Sequence, residues 1–320
     1  MPIWLITDVD TEFDYLRPGY QGDWRKDNPG LTKGVTGLLH FFQERGIRAT
    51  FHIQEQSDES QSILKRYPEV YELVSKYGQE ISIHVHVKYA GYASREREIT
   101  AAVNRVREYG YNISSFKAGW YFSNENTIKI LEALGIEYDC SPLKNSVVGP
   151  MRWYDIPDSP YHPSYADITK IGDAKVLMMP ITNTRLGIAI TENKTHELEL
   201  MKKGTEALAT VAEHMTQPVI LYFTTHSWKP IEVDGSGYRQ WEAERRREFF
   251  NFLLQYGVRS LNVSEAGRLW KEGGYESYYI DLPDLLGEYR SLFNPLRHFW
   301  LVKNVLSRIY TLKYHLLKEL

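Results

Sequence analysis

Residues 2–10 read PIWLITDVD, an apolar run that ends on two aspartates one residue apart. Side chains two apart on a β-strand share a face, so this run predicts a strand whose end sets the Asp8 and Asp10 carboxylates side by side. Similar short runs recur outward from it at 48–54, 80–87, 114–121, 176–183, 218–226 and 259–263. Helix-length amphipathic stretches fall between them at 31–45, 58–77, 95–109, 124–134, 195–215 and 239–256. Several of these close on a glycine (Gly46, Gly78, Gly110, Gly135, Gly257), the residue suited to a left-handed C-cap. Strands alternating with helices predict an α/β fold around a parallel sheet, and seven is a barrel-like count. The stretch 142–175, rich in Pro, Tyr, Asp and Gly without clear periodicity, is expected to be a long excursion over the barrel mouth.

Composition narrows the function classes. Hydrophobic residues at 42%, charged residues at 25% and a mean hydropathy of -0.44 fit neither a disordered chain nor a membrane-embedded one. With 38 Lys+Arg against 41 Asp+Glu there is no basic excess to condense on phosphate, so nucleic acid is not expected as a partner. A lone cysteine, Cys140, can form neither an internal disulfide nor a cysteine-rich metal site; any metal must be held by His and carboxylate. The opening residues carry no basic stretch, long apolar core or cleavage site, so the expected compartment is the cytoplasm.

The end of the chain differs in kind. Residues 288–320 hold six Lys/Arg against two acidic residues, a local +4 that leaves -7 on the rest of a chain whose net charge is -3. Phe293, Leu296, Phe299, Trp300, Val305, Leu306, Ile309, Leu312, Leu316 and Leu317 supply a broad apolar face between those cations. An interfacial helix is built this way, and so is a helix packed on its own barrel or on a twin subunit. The expected division is a barrel over 1–275 and a basic amphipathic helical tail over 276–320, with peripheral contact at the inner membrane face as one use of the tail.

Two like charges as close as Asp8 and Asp10 are costly without a cation, and a bound metal or an upward-displaced pKa in one of them would relieve the repulsion. Glu12 and Asp14 look like a solvated continuation past the strand. The third strand candidate carries His84 and His86 on one face, away from Ile83, Val85 and Val87. In a parallel barrel all strand carboxyl ends open on one rim, so an Asp-x-Asp and a His-x-His there would meet, in a donor set that suits zinc. The run 218–226 adds His226, followed by Trp228, at the same rim. It either begins a surface loop or supplies a proton donor titrating near neutral pH.

These residues together resemble the polysaccharide deacetylase superfamily, the NodB-homology or carbohydrate esterase family 4 type, over residues 2–266. Asp8-Val9-Asp10 resembles the spaced form of the family's aspartate motif, and Arg48-Ala49-Thr50-Phe51 its second strand. Tyr67-Pro68-Glu69 with Gly78-Gln79-Glu80-Ile81 resembles the lead-in to the histidine motif. Phe116 to Tyr121 resembles the third motif, Leu134 to Ser141 the segment after it, and His226 the last motif's histidine. Two positions depart from the pattern: Lys88 stands where the common H-x-x-x-H form has its second His, leaving His86 as in H-x-H-P relatives, and Lys117 replaces an arginine.

The resemblance implies a distorted (β/α)7 barrel with a C-terminal amphipathic helical extension, and a metal-dependent hydrolase removing N-acetyl or N-formyl groups from an amino sugar, such as a lipid-linked precursor. It implies a divalent metal, zinc first with Co, Mn or Ni also admissible, on Asp10, His84 and His86. Asp8 is implied as base, Lys117 as its charged neighbour and His226 as acid. A backbone N–H near Tyr121 would serve the oxyanion, and Trp120, Tyr121 and Trp228 would wall the sugar. Deacylation of small non-sugar amides or cyclic imides, and non-catalytic saccharide binding, are the competing readings.

Overall fold

Strand β1 (Ile3–Thr11) is buried along its whole length and has three parallel neighbours, β2 (Ala49–Gln54), β7 (Val219–His226) and β8 (Arg259–Leu261). The computed structural model describes residues 3–14, 23, 28–87, 91–144, 153, 155–182, 197–228 and 240–280. Beyond β2 the sheet continues through β3 (Glu80–Val85), β4 (Ser115–Ala118), β5 (Tyr138–Asp139) and β6 (Leu177–Met178). Its order is β6-β5-β4-β3-β2-β1-β7, with β8 beside the first half of β1. Every ladder is parallel, so all strand carboxyl ends reach one rim. The chain past β6 closes on β7 through Thr182, whose N–H donates to the Tyr222 carbonyl (3.1 Å) and whose Oγ1 accepts from Tyr222 N–H (2.7 Å). The sheet is thus curled into a distorted (β/α)7 barrel.

Helices α1 (Val35–Glu44), α2 (Ile63–Arg66), α3 (Pro68–Lys76), α4 (Tyr92–Glu108), α5 (Glu125–Ala133), α6 (Glu197–His214), α7 (Gln240–Gln255) and α8 (Val263–Glu272) accompany the strands. The stretch 58–77 is divided because Pro68 lacks an N–H and pushes Tyr67 out of the helical region (φ -139°, ψ 57°), so α3 starts with proline in its first turn. All five glycines expected to close helices sit at φ between +60° and +86°.

Alternation along the strands makes two cores. Leu5, Val9, Phe51, Ile53, Ile83, Phe116, Leu221 and Phe223 point outward into one apolar layer, with residues of the helices. Trp4, Ile6, Tyr138, Leu177, Ile220 and Tyr222 point inward into a second cluster that fills the barrel. Two short elements were not among the expected ones. β5 has two residues, too few to show a period, whereas α8 does show its spacing in buried Val263, Ala266, Gly267 and Trp270.

The described part of the 142–175 excursion reaches the rim turn, where Trp153 Nε1 donates to the Tyr121 carbonyl (3.3 Å), and also runs along the flank. Tyr161 pairs antiparallel with Met178, which folds the segment back on β6, and Ile156, Tyr161 and Ile168 join the outer core. Residues 276–280 pack on the barrel, where the Tyr278 hydroxyl donates to the Pro218 carbonyl (3.1 Å). The tail expected at 288–320 lies outside the described residues, and among those described no helix is long and apolar enough to cross a membrane.

Candidate metal centre

The inward face of β1 changes character halfway: Trp4 and Ile6 are apolar, Asp8 and Asp10 are carboxylates, and Glu12 follows at the same period just past the strand. Neighbouring strands answer with inward polar residues, so a polar column rises through the barrel to its rim.

Asp8 forms the lower tier and is fully buried. Its Oδ2 accepts from Lys117 Nζ (3.0 Å) and from the Tyr222 hydroxyl (2.9 Å), and His52 Nε2 lies 3.2 Å away. Lys117, on β4 and also fully buried, donates to Asp8 and to Thr224 Oγ1 (2.7 Å), and its Nζ forms an ion pair with Asp10 Oδ1 at 2.8 Å. Burial pushes the Asp8 carboxyl up, but the Lys117 cation and the bond and charge of His52 outweigh it and hold Asp8 well below the usual carboxylate range. Burial likewise pulls the Lys117 ammonium down, and the Asp10 and Asp8 carboxylates overcome that and raise it. Lysine therefore supplies here the buried positive charge expected of it.

Glu12 forms the upper tier. Its Oε1 stands 2.7 Å from His84 Nε2 and 2.9 Å from His86 Nε2. One donor atom from each of these three residues lies within 4.8 Å of the others. Burial raises the Glu12 carboxyl, yet bonds and charge from His84 and then His86 bring it well below its ordinary value. His84 is lowered by burial and raised by Glu12, with a net rise. The carboxylate that meets both imidazoles is thus Glu12, one strand repeat beyond the expected Asp10, whose Oδ1 is turned to Lys117.

Glu12 and Asp14 are not a solvated continuation: both are buried, at 4% and 0% exposure. The chain past Thr11 stays inside the rim, where Asp14 Oδ2 accepts from Gly30 N–H (2.9 Å) and Gln54 Oε1 accepts from Phe13 N–H (3.2 Å). The missed signal was the unbroken period of Asp8, Asp10, Glu12 and Asp14.

His226 arrives at the same place from β7. Its Nε2 is 3.9 Å from Asp10 Oδ2 and 3.8 Å from Glu12 Oε2, and its ring stacks on buried Trp228 with centroids 4.4 Å apart. On the opposite side the turn Gly119–Tyr121 follows β4. A Cβ on Gly119 would collide with the His86 ring, so glycine lets that imidazole lie against the backbone. Trp120 and Tyr121 both adopt left-handed φ (56° and 59°), a strained conformation of the kind that collects at functional sites. Trp120 is half exposed at the mouth, whereas Tyr121 is buried beside Lys117. Buried Arg95 braces the turn, donating to the Phe122 carbonyl (2.6 Å), Thr127 Oγ1 (3.1 Å) and the Val87 carbonyl (3.3 Å). Asp8, Asp10, Lys117, His84, His86, Trp120, Tyr121, His226 and Trp228 are all on this rim or directly beneath it. Lys88 lies outside the described residues.

Comparison with solved structures bears on the fold. A protein of Mycobacterium smegmatis classed among the polysaccharide deacetylases superposes with a TM-score of 0.59 at 17% identity, over 88% of this chain and 95% of its own. One of Parabacteroides distasonis, classed as a glycoside hydrolase/deacetylase, gives 0.60 at 12% identity, over 86% and 73%. This chain has the polysaccharide deacetylase fold. A 4-alpha-glucanotransferase of Thermococcus litoralis gives 0.51 at 14% identity, over 88% of this chain and 40% of its own, so a similar barrel occurs in that protein too. No protein-family model matches the sequence, and neither does any curated protein.

Proposed function

We propose that the chain is a metal-dependent hydrolase that removes an acetyl or formyl group from the nitrogen of an amino sugar. The observation that carries this reading is the meeting of Glu12, His84 and His86 on the rim of a barrel with this fold. The residues fit an ion: two imidazoles and a carboxylate suit zinc, with Co, Mn or Ni also accommodated, and one donor atom from each lies within 4.8 Å of the others. When bound, such an ion polarises an acyl carbonyl and lowers the pKa of water.

The protein's own groups complete the chemistry. Asp10 is the carboxylate placed to take a proton from an attacking water, because Lys117 fixes its Oδ1 while its Oδ2 faces His226. The family resemblance puts the base at Asp8, but full burial under Lys117, Tyr222 and His52 favours Asp8 as the counter-ion that seats Lys117. His226, as imidazolium, hands a proton to the departing nitrogen, since an amide nitrogen does not leave as an anion at neutral pH. A backbone N–H near Tyr121 faces the developing oxyanion. Trp120 offers its exposed ring as a sugar platform.

The carbohydrate-directed names of the structural neighbours support a sugar substrate. The lone buried Cys140 supports a reducing, cytoplasmic setting, and the basic apolar pattern of 288–320 supports contact with the inner membrane face and a lipid-linked sugar. Metal-stripped protein should release no acetate from N-acetylated amino sugars and recover on adding Zn, Co or Mn. Full activity in excess chelator would end the proposal.

A further inference from the structure

A π-helical turn, Gly30–Gly34, leads into α1 and lies behind the residues that follow β7. Such turns are rare and collect at functional sites. A Cβ on Gly34 would collide with the Ser227 carbonyl oxygen. On Gly30 it would stand 2.6 Å from Asp14 Oδ1, 2.9 Å from Trp228 Cβ and 3.0 Å from Trp228 Cα. The obstacles at Ser227 and Trp228 are main chain or its first side-chain atom, which cannot swing aside as the end of a long side chain can.

The turn is tied to β1 as well as pressed on β7. Asp14 Oδ2 accepts from Gly30 N–H (2.9 Å), and Asn28 Oδ1 accepts from Asp14 N–H (3.1 Å). The Asn28 carbonyl accepts from Leu31 N–H (2.9 Å) and Thr32 N–H (3.2 Å), and Ser227 N–H donates to the Asp10 carbonyl (2.9 Å). The segment His226–Trp228 is therefore held between the end of β1 in front and a two-glycine turn behind, and both supports run back to the stretch that carries Asp10, Glu12 and Asp14.

We propose that the Gly30–Gly34 turn is a seat that positions the His226 imidazole, with Gly30, Gly34 and Asp14 as positioning residues for proton delivery. The proposal rests on the hydrolase reading only for the proton's destination; the seat itself is geometric. With the turn in place, His226 Nε2 is held 3.9 Å from Asp10 and 3.8 Å from Glu12. A methyl group at position 34 must displace Ser227, the residue next to His226, whereas His84 and His86 are carried by the end of β3, across β1 and β2 from β7 in the sheet order. A displacement near 1 Å costs on the order of 100-fold in a reaction that depends on alignment.

The test is Gly34→Ala, compared with the parent protein for bound zinc per chain and for turnover of an N-acetylated amino sugar and of p-nitrophenyl acetate. The amide needs a proton on its leaving nitrogen and the phenolate does not. The expected result is unchanged zinc, a loss on the order of 100-fold on the amide, and ester turnover near that of the parent. Equal losses on both substrates with zinc retained, or no loss on either, would overturn the proposal. Should Gly34→Ala not fold, Asp14→Asn weakens the grip on Gly30 N–H without adding bulk, and the same selective loss on the amide is expected. If the parent protein hydrolyses neither substrate, the hydrolase reading fails by itself. The seat is then judged by the histidine ring resonances: a shift of His226 in Gly34→Ala with His84 and His86 unmoved supports it, and an unmoved His226 refutes it.

Discussion

Replacing Lys117 with Met keeps the bulk of the side chain and removes the one charge it carries. Nζ lies 3.0 Å from Asp8 Oδ2 and 2.8 Å from Asp10 Oδ1. At an effective dielectric constant near 20, each contact is worth roughly 5–6 kcal/mol of Coulomb attraction. Desolvation of the ammonium offsets several kcal/mol of that sum, and removing one partner of a buried pair typically destabilises by about 3–5 kcal/mol. A loss in that range is expected, measured as the shift in guanidinium midpoint with matched slopes. The pH dependence should also change sign. In the parent protein Asp8 is depressed, so its contribution is present above its unfolded pKa and fades as pH falls through the folded one. Lys117 is raised, so its contribution is present below its unfolded pKa and is lost only as pH rises through the folded one. Without the lysine, burial, the largest influence on Asp8, is opposed only by His52 and the neighbouring hydroxyls. The folded state is then expected to bind more protons than the unfolded one, and stability to rise as pH falls from neutrality towards about 5. Adding Asp8→Asn should return part of the loss. A variant that loses less than about 1 kcal/mol, or weakens in acid as the parent does, would refute this account of the column.

Two further outcomes separate the tiers. Glu12→Gln should lower zinc stoichiometry at a fixed free-zinc concentration, whereas Asp10→Asn should retain the ion and lose turnover; elemental analysis beside a kinetic assay decides, and the opposite pattern returns the ligand role to Asp10. Trp120→Ala should raise KM for the sugar substrate with little change in thermal midpoint, because its ring is half exposed; an unchanged KM would remove it as a platform.

The polar column also bears on how the Glu12, His84 and His86 cluster is kept in place. The inward positions of β1 and its continuation divide the labour along their length. Trp4 and Ile6 fill the barrel, Asp8 seats Lys117, Asp10 faces the mouth, Glu12 meets the imidazoles, and Asp14 grips the glycine turn. The strain at Trp120 and Tyr121 is held by Arg95 below and by Trp153, whose Nε1 donates to the Tyr121 carbonyl (3.3 Å).

Local pattern alone determined most of the barrel. The period of two in PIWLITDVD and the runs like it, and the glycines closing the helices, depend on neighbours in the chain, and the strands and helices stand close to where those patterns put them. It also placed His84 and His86 on one face, because that follows from strand geometry without knowledge of any partner. Only the tertiary structure decided which carboxylate the imidazoles meet. That choice depends on where β1 stops relative to β3 and on the buried Lys117 arriving from β4 to claim Asp10, neither of which local period encodes. Burial of Glu12 and Asp14 was hidden for the same reason: an acidic residue past a strand reads as solvated until a glycine turn 16 residues further along the sequence from Asp14 closes over it.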